Sequence, residues 1–266
     1  STKAQRTIIF KNKNHNIFYS ESHEQTYDQI TTFFDIHSGW PRARNQQVAA
    51  IVPAYNEAER IGPVLEVLSK TPMIHEIIVV DDGSMDKTSS AASQYPKVRV
   101  LRNEKNYGKS HALDQGVRAT DASILFFCDA DLTGLEPAFL EEMIQPVKDN
   151  VTDMFIGLCS SPMQMAVRLF GLNSGQRVLR RELWEQLPPE FKHRYRVEAG
   201  LNFMAKNYGK GFVSRVFPYY QAVKEKKYGF FKGTALRWWM NFDISLAYFF
   251  ASRNWIKKII RNYTSL

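Results

Sequence analysis

Two carboxylates one residue apart, Asp129 and Asp131, close an apolar run from Ile124 to Cys128. The run reads as a buried strand. Side chains alternate along an extended chain, so a strand that carries Asp129 outward at its C-terminal end puts Asp131 on the same side. Two hard oxygen ligands at the mouth of a parallel sheet suit Mg²⁺ or Mn²⁺, with the remaining positions filled by substrate phosphates. Such a pair would hold a nucleotide diphosphate and neutralise it as it leaves. Alone, Asp-x-Asp is a weak signal, because surface turns carry it often.

The neighbouring motifs change its weight. Asp81-Asp82-Gly83-Ser84 follows the apolar run Glu76 to Val80. An acidic residue there can accept hydrogen bonds from a uracil or ribose edge, and Gly83 allows close backbone approach; a capped strand-to-helix turn is the plain alternative. Gly108-Lys109 sits at a helix start, where free backbone N–H groups and a cation favour phosphate. The spacing is not that of a P-loop, and Lys109 could equally be a solvated helix-end lysine.

The elements that must position these residues follow from the hydrophobic pattern. Strands are expected at Val48 to Val52, ended by Pro53, then at Glu76 to Val80, Val98 to Leu101 and Ile124 to Cys128. Helices are expected at Asn56 to Leu68, with Ile61, Val64, Leu65 and Leu68 inward, at Asp86 to Ser93 with Asp86 as N-cap, and at Lys109 to Ala119. Strand, helix, strand, helix at this spacing predicts an α/β fold, a Rossmann-like doubly wound, mostly parallel sheet with right-handed crossovers. Ligands of such sheets sit outside the carboxyl ends of the strands. All the unusual polar motifs fall there. Farther on, helices are expected at Pro137 to Val147 and Val197 to Asn207, and strands at Asp153 to Cys159 and Phe212 to Phe217.

Bulk numbers narrow the class. The 266 residues suffice for one large α/β domain with extensions, and 44% apolar content is ordinary for a globular protein. A net charge of +8 points to an anionic partner. Cys128 and Cys159 are the only cysteines, and no zinc spacing occurs, so neither a disulfide framework nor a zinc site is expected. No signal-peptide pattern and no run long enough for a membrane span is present. Nucleic-acid binding is not expected: the basic residues are spread, and the acidic strand ends would repel phosphate without a metal.

The block Val48 to Asp131 resembles the nucleotide-binding half of inverting, family-2-type GT-A glycosyltransferases. The resemblance rests on four motifs in order: Val52-Pro53-Ala54-Tyr55-Asn56-Glu57, Val79-Val80-Asp81-Asp82-Gly83-Ser84, Asn106-Tyr107-Gly108-Lys109 and Asp129-Ala130-Asp131. The Pro-Ala-Tyr-Asn-Glu form is most similar to the subgroup of dolichyl- and polyprenyl-phosphate sugar transferases. The resemblance implies a GT-A fold and a UDP- or GDP-sugar donor held by Pro53, Ala54, Tyr55, Glu57, Asp82, Gly83, Ser84, Gly108, Lys109, Asp129, Ala130 and Asp131. It implies a metal, Mg²⁺ or Mn²⁺, on Asp129 and Asp131. Arg177, Arg180 and Arg181 would meet an acceptor phosphate through bidentate contacts, with a solvated basic helix as the alternative. Glu198, beside Asp131 and Arg177 as the third expected catalytic residue, would activate a hydroxyl acceptor as general base, or orient groups if the acceptor is a phosphate; a helix-start carboxylate favoured by the dipole is the plain alternative. Related retaining enzymes that glycosylate phosphoglycerate carry a metal-binding His after the acidic residue. This chain has no His beyond His193.

Residues 1–47 form an expected extension, 48–232 the catalytic domain (48–131 donor side, 132–232 acceptor side) and 233–266 amphipathic helices. In the last segment aromatic and aliphatic residues interleave with Lys and Arg, as in Leu236-Arg237-Trp238-Trp239 and Trp255-Ile256-Lys257-Lys258. That pattern suits a membrane interface, or a helix pair packed on the domain or a partner. The expectation is a metal-dependent, inverting transferase on the cytoplasmic face of a membrane, passing sugar to a lipid acceptor such as polyprenyl phosphate. A small soluble phosphorylated acceptor, as in glucosyl-3-phosphoglycerate synthase, is the alternative.

Overall fold

The computed structural model describes residues 8–11, 16–19, 46–160, 174–193 and 196–221. The expected helices of 233–266 lie outside them. Strands β1 (Ile8–Lys11), β2 (Asn16–Tyr19), β3 (Val48–Ala54), β4 (Glu76–Asp81), β5 (Val98–Arg102), β6 (Ile124–Phe127), β8 (Met154–Cys159), β9 (Arg177–Arg180) and β10 (Phe212–Phe217) form one sheet. Its order is β2-β1-β10-β8-β9-β6-β3-β4-β5. All strands but β1 and β9 run in one direction. The expected α/β, mostly parallel architecture is therefore the one the chain adopts. Two short strands, β7 (Leu132–Thr133) and β11 (Tyr220–Gln221), pair antiparallel beside it.

The helices are α1 (Ile61–Lys70), α2 (Thr88–Ala92), α3 (Lys109–Arg118), α4 (Pro137–Lys148), α5 (Arg181–Glu185) and α6 (Arg196–Tyr208), with a 3₁₀ turn at Pro189–Phe191. They cover both faces of the sheet. Alternation along β6 shows why: Ile124 and Phe126 pack with α1 and α4 residues on one face, and Leu125 and Phe127 with α3, α5 and α6 residues on the other. On α1 the apolar stripe Ile61, Val64, Leu65, Leu68 is fully buried, each side chain stabilising by about 1.5–3 kcal/mol relative to exposure.

Three boundaries differ from the sequence reading, for local reasons. β3 continues through Pro53 to Ala54. Its pairing with β6 ends at Ile51↔Phe127, while Pro53 and Ala54 still pair with β4; the missing proline N–H therefore costs no bond to β6. α1 starts at Ile61 rather than Asn56, because the Asn56, Glu57 and Ala58 N–H groups are donated to Ser84 Oγ (2.9 Å), Thr88 Oγ1 (2.9 Å) and Asp86 Oδ2 (3.1 Å). The same lacing shortens α2 to Thr88–Ala92, with Asp86 Oδ1 accepting the Thr88 N–H at 3.0 Å.

Candidate active site

The loops after β3, β4, β5, β6 and β10, and the segment entering β9, meet at the edge of the sheet where the parallel strands end. The loops after β3 and β4 form the first wall. Asn56 adopts φ 55°, a left-handed conformation that asparagine tolerates, and its Oδ1 accepts the Met85 N–H at 2.9 Å. Tyr55 is half-buried there, and Glu57 is 5% exposed and paired with Arg60 at 2.6 Å. Gly83 takes φ 74°, and a Cβ there would lie 2.5 Å from the Lys105 carbonyl carbon, so the turn admits only glycine.

Asp82 is held by the protein itself. Its carboxylate accepts Asn103 Nδ2 (2.8 Å), the Tyr107 N–H (3.0 Å) and the Gly108 N–H (2.7 Å). It braces the loop that delivers Lys109.

The core of the site is a charged cluster around Lys109. Its Nζ lies 2.7 Å from Asp129 Oδ1 and 3.5 Å from Glu198 Oε1. Lys109 opens α3, Asp129 lies in the turn after β6, and Glu198 stands in the first turn of α6. Burial alone would lower the Lys109 pKa, but the two carboxylates outweigh it and hold the ammonium above its ordinary value. Burial likewise works to raise Asp129, yet Lys109 and the amides of Gln176 and Gln221 hold its carboxyl below the usual carboxylate value. The adjacent Cys128 thiol is pushed well up, first by burial and then by Asp129, so it is no nucleophile.

Asp129 and Asp131 do converge, though not by strand alternation. β6 ends at Phe127, and residues 130 and 131 form a turn leading into β7. The two carboxylates meet at one nitrogen, Gln221 Nε2, which donates to Asp129 Oδ2 at 2.9 Å and Asp131 Oδ1 at 3.1 Å. Gln176 Nε2 also donates to Asp129 Oδ2, at 3.0 Å. A Cβ on Gly175 would collide with Lys109 Nζ and fall 2.5 Å from Asp129 Oδ2. The backbone thus approaches as closely as only glycine permits. Among the described residues no group of three or more His, Cys, Asp or Glu gathers as a metal cluster. The Asp129–Asp131 pair is all-oxygen and suits a hard cation that takes its other ligands from phosphate.

The three arginines do not form one phosphate clamp. Residues 177–180 are a buried strand, not a helix, and β9 runs antiparallel to β6, so Phe127 faces Arg177 while Ile124 faces Arg180. Only Arg177 lies at the site end. It is 1% exposed and donates to Ser174 O (2.7 Å) and Asn202 Oδ1 (2.7 Å), tying β9 to α6. Arg180, 2% exposed, bonds Asn150 and Glu182 at the opposite edge. Arg181 donates to the carbonyls of Val117, Thr120 and Ala122, closing the C-terminal end of α3. The expected acceptor-phosphate role of Arg180 and Arg181 is corrected accordingly: Arg180 is spent on Asn150 and Glu182 and Arg181 on backbone carbonyls.

The sequence reading missed Gly175, Gln176 and Gln221 as site residues. Gly175 and Gln176 directly precede Arg177, and that adjacency to an expected site residue is the signal they carry. Gln221 carried no sequence signal, since only the β7–β11 pairing brings it to the carboxylates.

With this geometry in view, comparison with known proteins is specific. Residues 49–209 match glycosyl transferase family 2. The chain belongs to that family and carries its glycosyltransferase domain. The uncharacterized protein MJ1222 of Methanocaldococcus jannaschii is 32% identical over 190 residues, 61% of this chain and 77% of that protein. The 4,4'-diaponeurosporenoate glycosyltransferase of Staphylococcus aureus is 36% identical over 104 residues, 38% of this chain; the chain spans only 28% of that enzyme's length. Among solved structures, glucosyl-3-phosphoglycerate synthase from Mycobacterium tuberculosis, in complex with Mn²⁺, UDP-glucose and phosphoglyceric acid, superposes with a TM-score of 0.57 at 25% identity, covering 69% of this chain and 76% of that one.

Proposed function

We propose that the protein transfers a sugar from a UDP- or GDP-sugar to an anionic acceptor, a lipid phosphate at a membrane surface, with inversion and with Mg²⁺ or Mn²⁺ bound. The observation that carries the reading is the convergence of Asp129 and Asp131 on one point beside Lys109 and Glu198. Lys109 faces Asp129 and Glu198, Asp131 joins Asp129 at Gln221, and Arg60 acts on Asp131 electrostatically; a cation arriving with a diphosphate would offset the repulsion of these carboxylates. Asp129 and Asp131 would hold that cation, which supplies charge neutralisation for the leaving diphosphate. Lys109, at the start of α3, would add a cation and helix N–H groups to the same phosphates. The loop of Pro53, Ala54, Tyr55 and Glu57, with Gly83 and Ser84, would line the nucleoside.

Glu198 would act on the acceptor side. For a hydroxyl acceptor it is the base within reach; for a phosphate acceptor it orients Lys109 and the incoming group. The lipid reading is supported by the basic, aromatic sequence of 233–266 and the net charge of +8, and it carries with it a peripheral site on the cytoplasmic face of a membrane. The complex of the mycobacterial neighbour with phosphoglyceric acid favours a second reading, a small soluble phosphorylated acceptor.

One experiment separates these. Thermal midpoints against UDP- and GDP-sugars, with Mn²⁺ or chelator, should rise for one nucleotide family only when metal is present. Turnover is then measured with polyprenyl phosphate in liposomes and with phosphoglycerate in solution. Activity only with liposomes supports the lipid acceptor, activity only in solution replaces it, and a donor shift unaffected by chelator sinks the metal role.

A further inference from the structure

The structure assigns a ligand role to Gln221: we propose that its side-chain oxygen is the third protein donor to the cation shared by Asp129 and Asp131. This rests on the cation of the proposed function. The register of the small sheet sets the residue in place. Gln221 pairs with Leu132, the residue after Asp131, and Tyr220 with Thr133. The amide nitrogen then sits 2.9 Å from one carboxylate and 3.1 Å from the other, one N–H to each. A cation bound by both carboxylates would take this same position, so the amide stands where the cation belongs.

The two glutamines of the cluster differ in a way that decides their roles. Gln176 is pinned at both ends: its Nε2 donates to Asp129 Oδ2 at 3.0 Å, and its Oε1 lies 2.7 Å from Ser174 Oγ. It orients the carboxylate from behind. Gln221 is held through Nε2 alone, and its Oε1 has no hydrogen-bond partner among the described residues. A half-turn of the amide exchanges two groups of nearly equal size, N–H₂ for C=O, and a small withdrawal of the side chain, with the backbone in place, leaves the cation between that oxygen and the two carboxylates. Cation entry removes the reason for the N–H₂ to face the carboxylates and supplies one for the oxygen. The result is a neutral third oxygen beside two charged ones, a set suited to Mg²⁺ or Mn²⁺.

The test is Mn²⁺ binding to the full chain in the presence of UDP, read by the electron paramagnetic resonance of free Mn²⁺, with folding checked by circular dichroism in chelator. Wild type should bind one Mn²⁺, and Asp131→Ala should lose it. Gln221→Ala should weaken binding by about tenfold or more, as loss of a supporting contact does at metal sites. Gln221→Glu, which keeps size and puts a charged oxygen in place, should bind at least as tightly as wild type. Binding by Gln221→Ala that equals or exceeds wild type overturns the assignment, since the amide would then only compete with the cation; the wider metal reading survives that result. Should Gln221→Ala fail to fold, weaker binding by Gln221→Glu overturns the assignment instead. Unchanged binding in Asp131→Ala, or none in wild type, overturns both.

Discussion

Lys109 and Asp129 meet at 2.7 Å, one from the start of α3 and the other from the turn after β6. The same ammonium reaches Glu198 at 3.5 Å. It is thus the counter-charge of both carboxyl groups at once, and α3 and α6 are linked electrostatically through it. Replacing it should cost both activity and stability. Lys109→Met leaves Asp129 and Glu198 facing each other without compensation. The ammonium keeps 29% side-chain exposure, so the stability loss should be about 1–3 kcal/mol, below that of a fully buried pair. Urea unfolding and turnover check this; a variant with wild-type turnover would remove Lys109 from the mechanism.

Asp131→Ala should behave differently. The side chain contributes to the cluster at its open edge, so the thermal midpoint in chelator should shift little. Metal-dependent turnover should fall by about 100-fold or more, the scale set by losing electrostatic stabilisation of developing charge. Turnover at the wild-type level would sink the metal assignment.

Gly175→Ala tests the close approach of backbone to the ion pair. Its methyl must displace Lys109 Nζ or Asp129 Oδ2. The expected cost is about 1–3 kcal/mol, as for other overpacked sites, with turnover reduced more than donor affinity. A neutral outcome in both would show that the loop before β9 can retreat.

Asp153 sets a pH dependence at the opposite edge of the sheet. Burial pushes its carboxyl above the usual value of 3.8, against the opposing pull of the Lys210 N–H and of Arg180; its Oδ1 has no hydrogen-bond partner among the described residues. The folded state therefore holds this proton more tightly than the unfolded chain. Its contribution to stability is greatest in acid and falls as pH rises from about 4 through the raised folded value. The midpoint difference between wild type and Asp153→Asn should move against wild type from pH 4 to pH 7. Movement in the other direction would contradict the sign.

Removal of residues 234–266 should release the protein from anionic liposomes in co-sedimentation while leaving the donor-induced thermal shift intact. Unchanged co-sedimentation would remove the membrane reading.

Much of the donor half was legible in the sequence. The apolar runs of β3, β4 and β6 are buried on both faces, which makes them continuous and hard to mistake. Asp129 and Asp131 were legible because three other polar motifs fall at the ends of neighbouring strands. Arg180 and Arg181 were misread because a basic sequence run says nothing of pairing: β9 is reversed between β6 and β8, and its burial comes from neighbours 21 to 56 residues away in sequence. Asp82 was legible as a site residue but not as a brace, since its partners Asn103, Tyr107 and Gly108 belong to another loop. Gln221 was illegible altogether, because a neutral side chain gains meaning only from what stands opposite it.

The outer hairpin has a consequence for synthesis. β1 pairs with β10 through Ile9↔Ser214 and Phe10↔Val213, so β1 waits for a partner translated long after it. At cellular translation speeds that wait is roughly 10–40 s. During it β1 has only β2 beside it, and two strands alone are marginal in water. The ribosome therefore releases β1 and β2 long before their mate exists, and that unpaired edge is a place for a chaperone to bind.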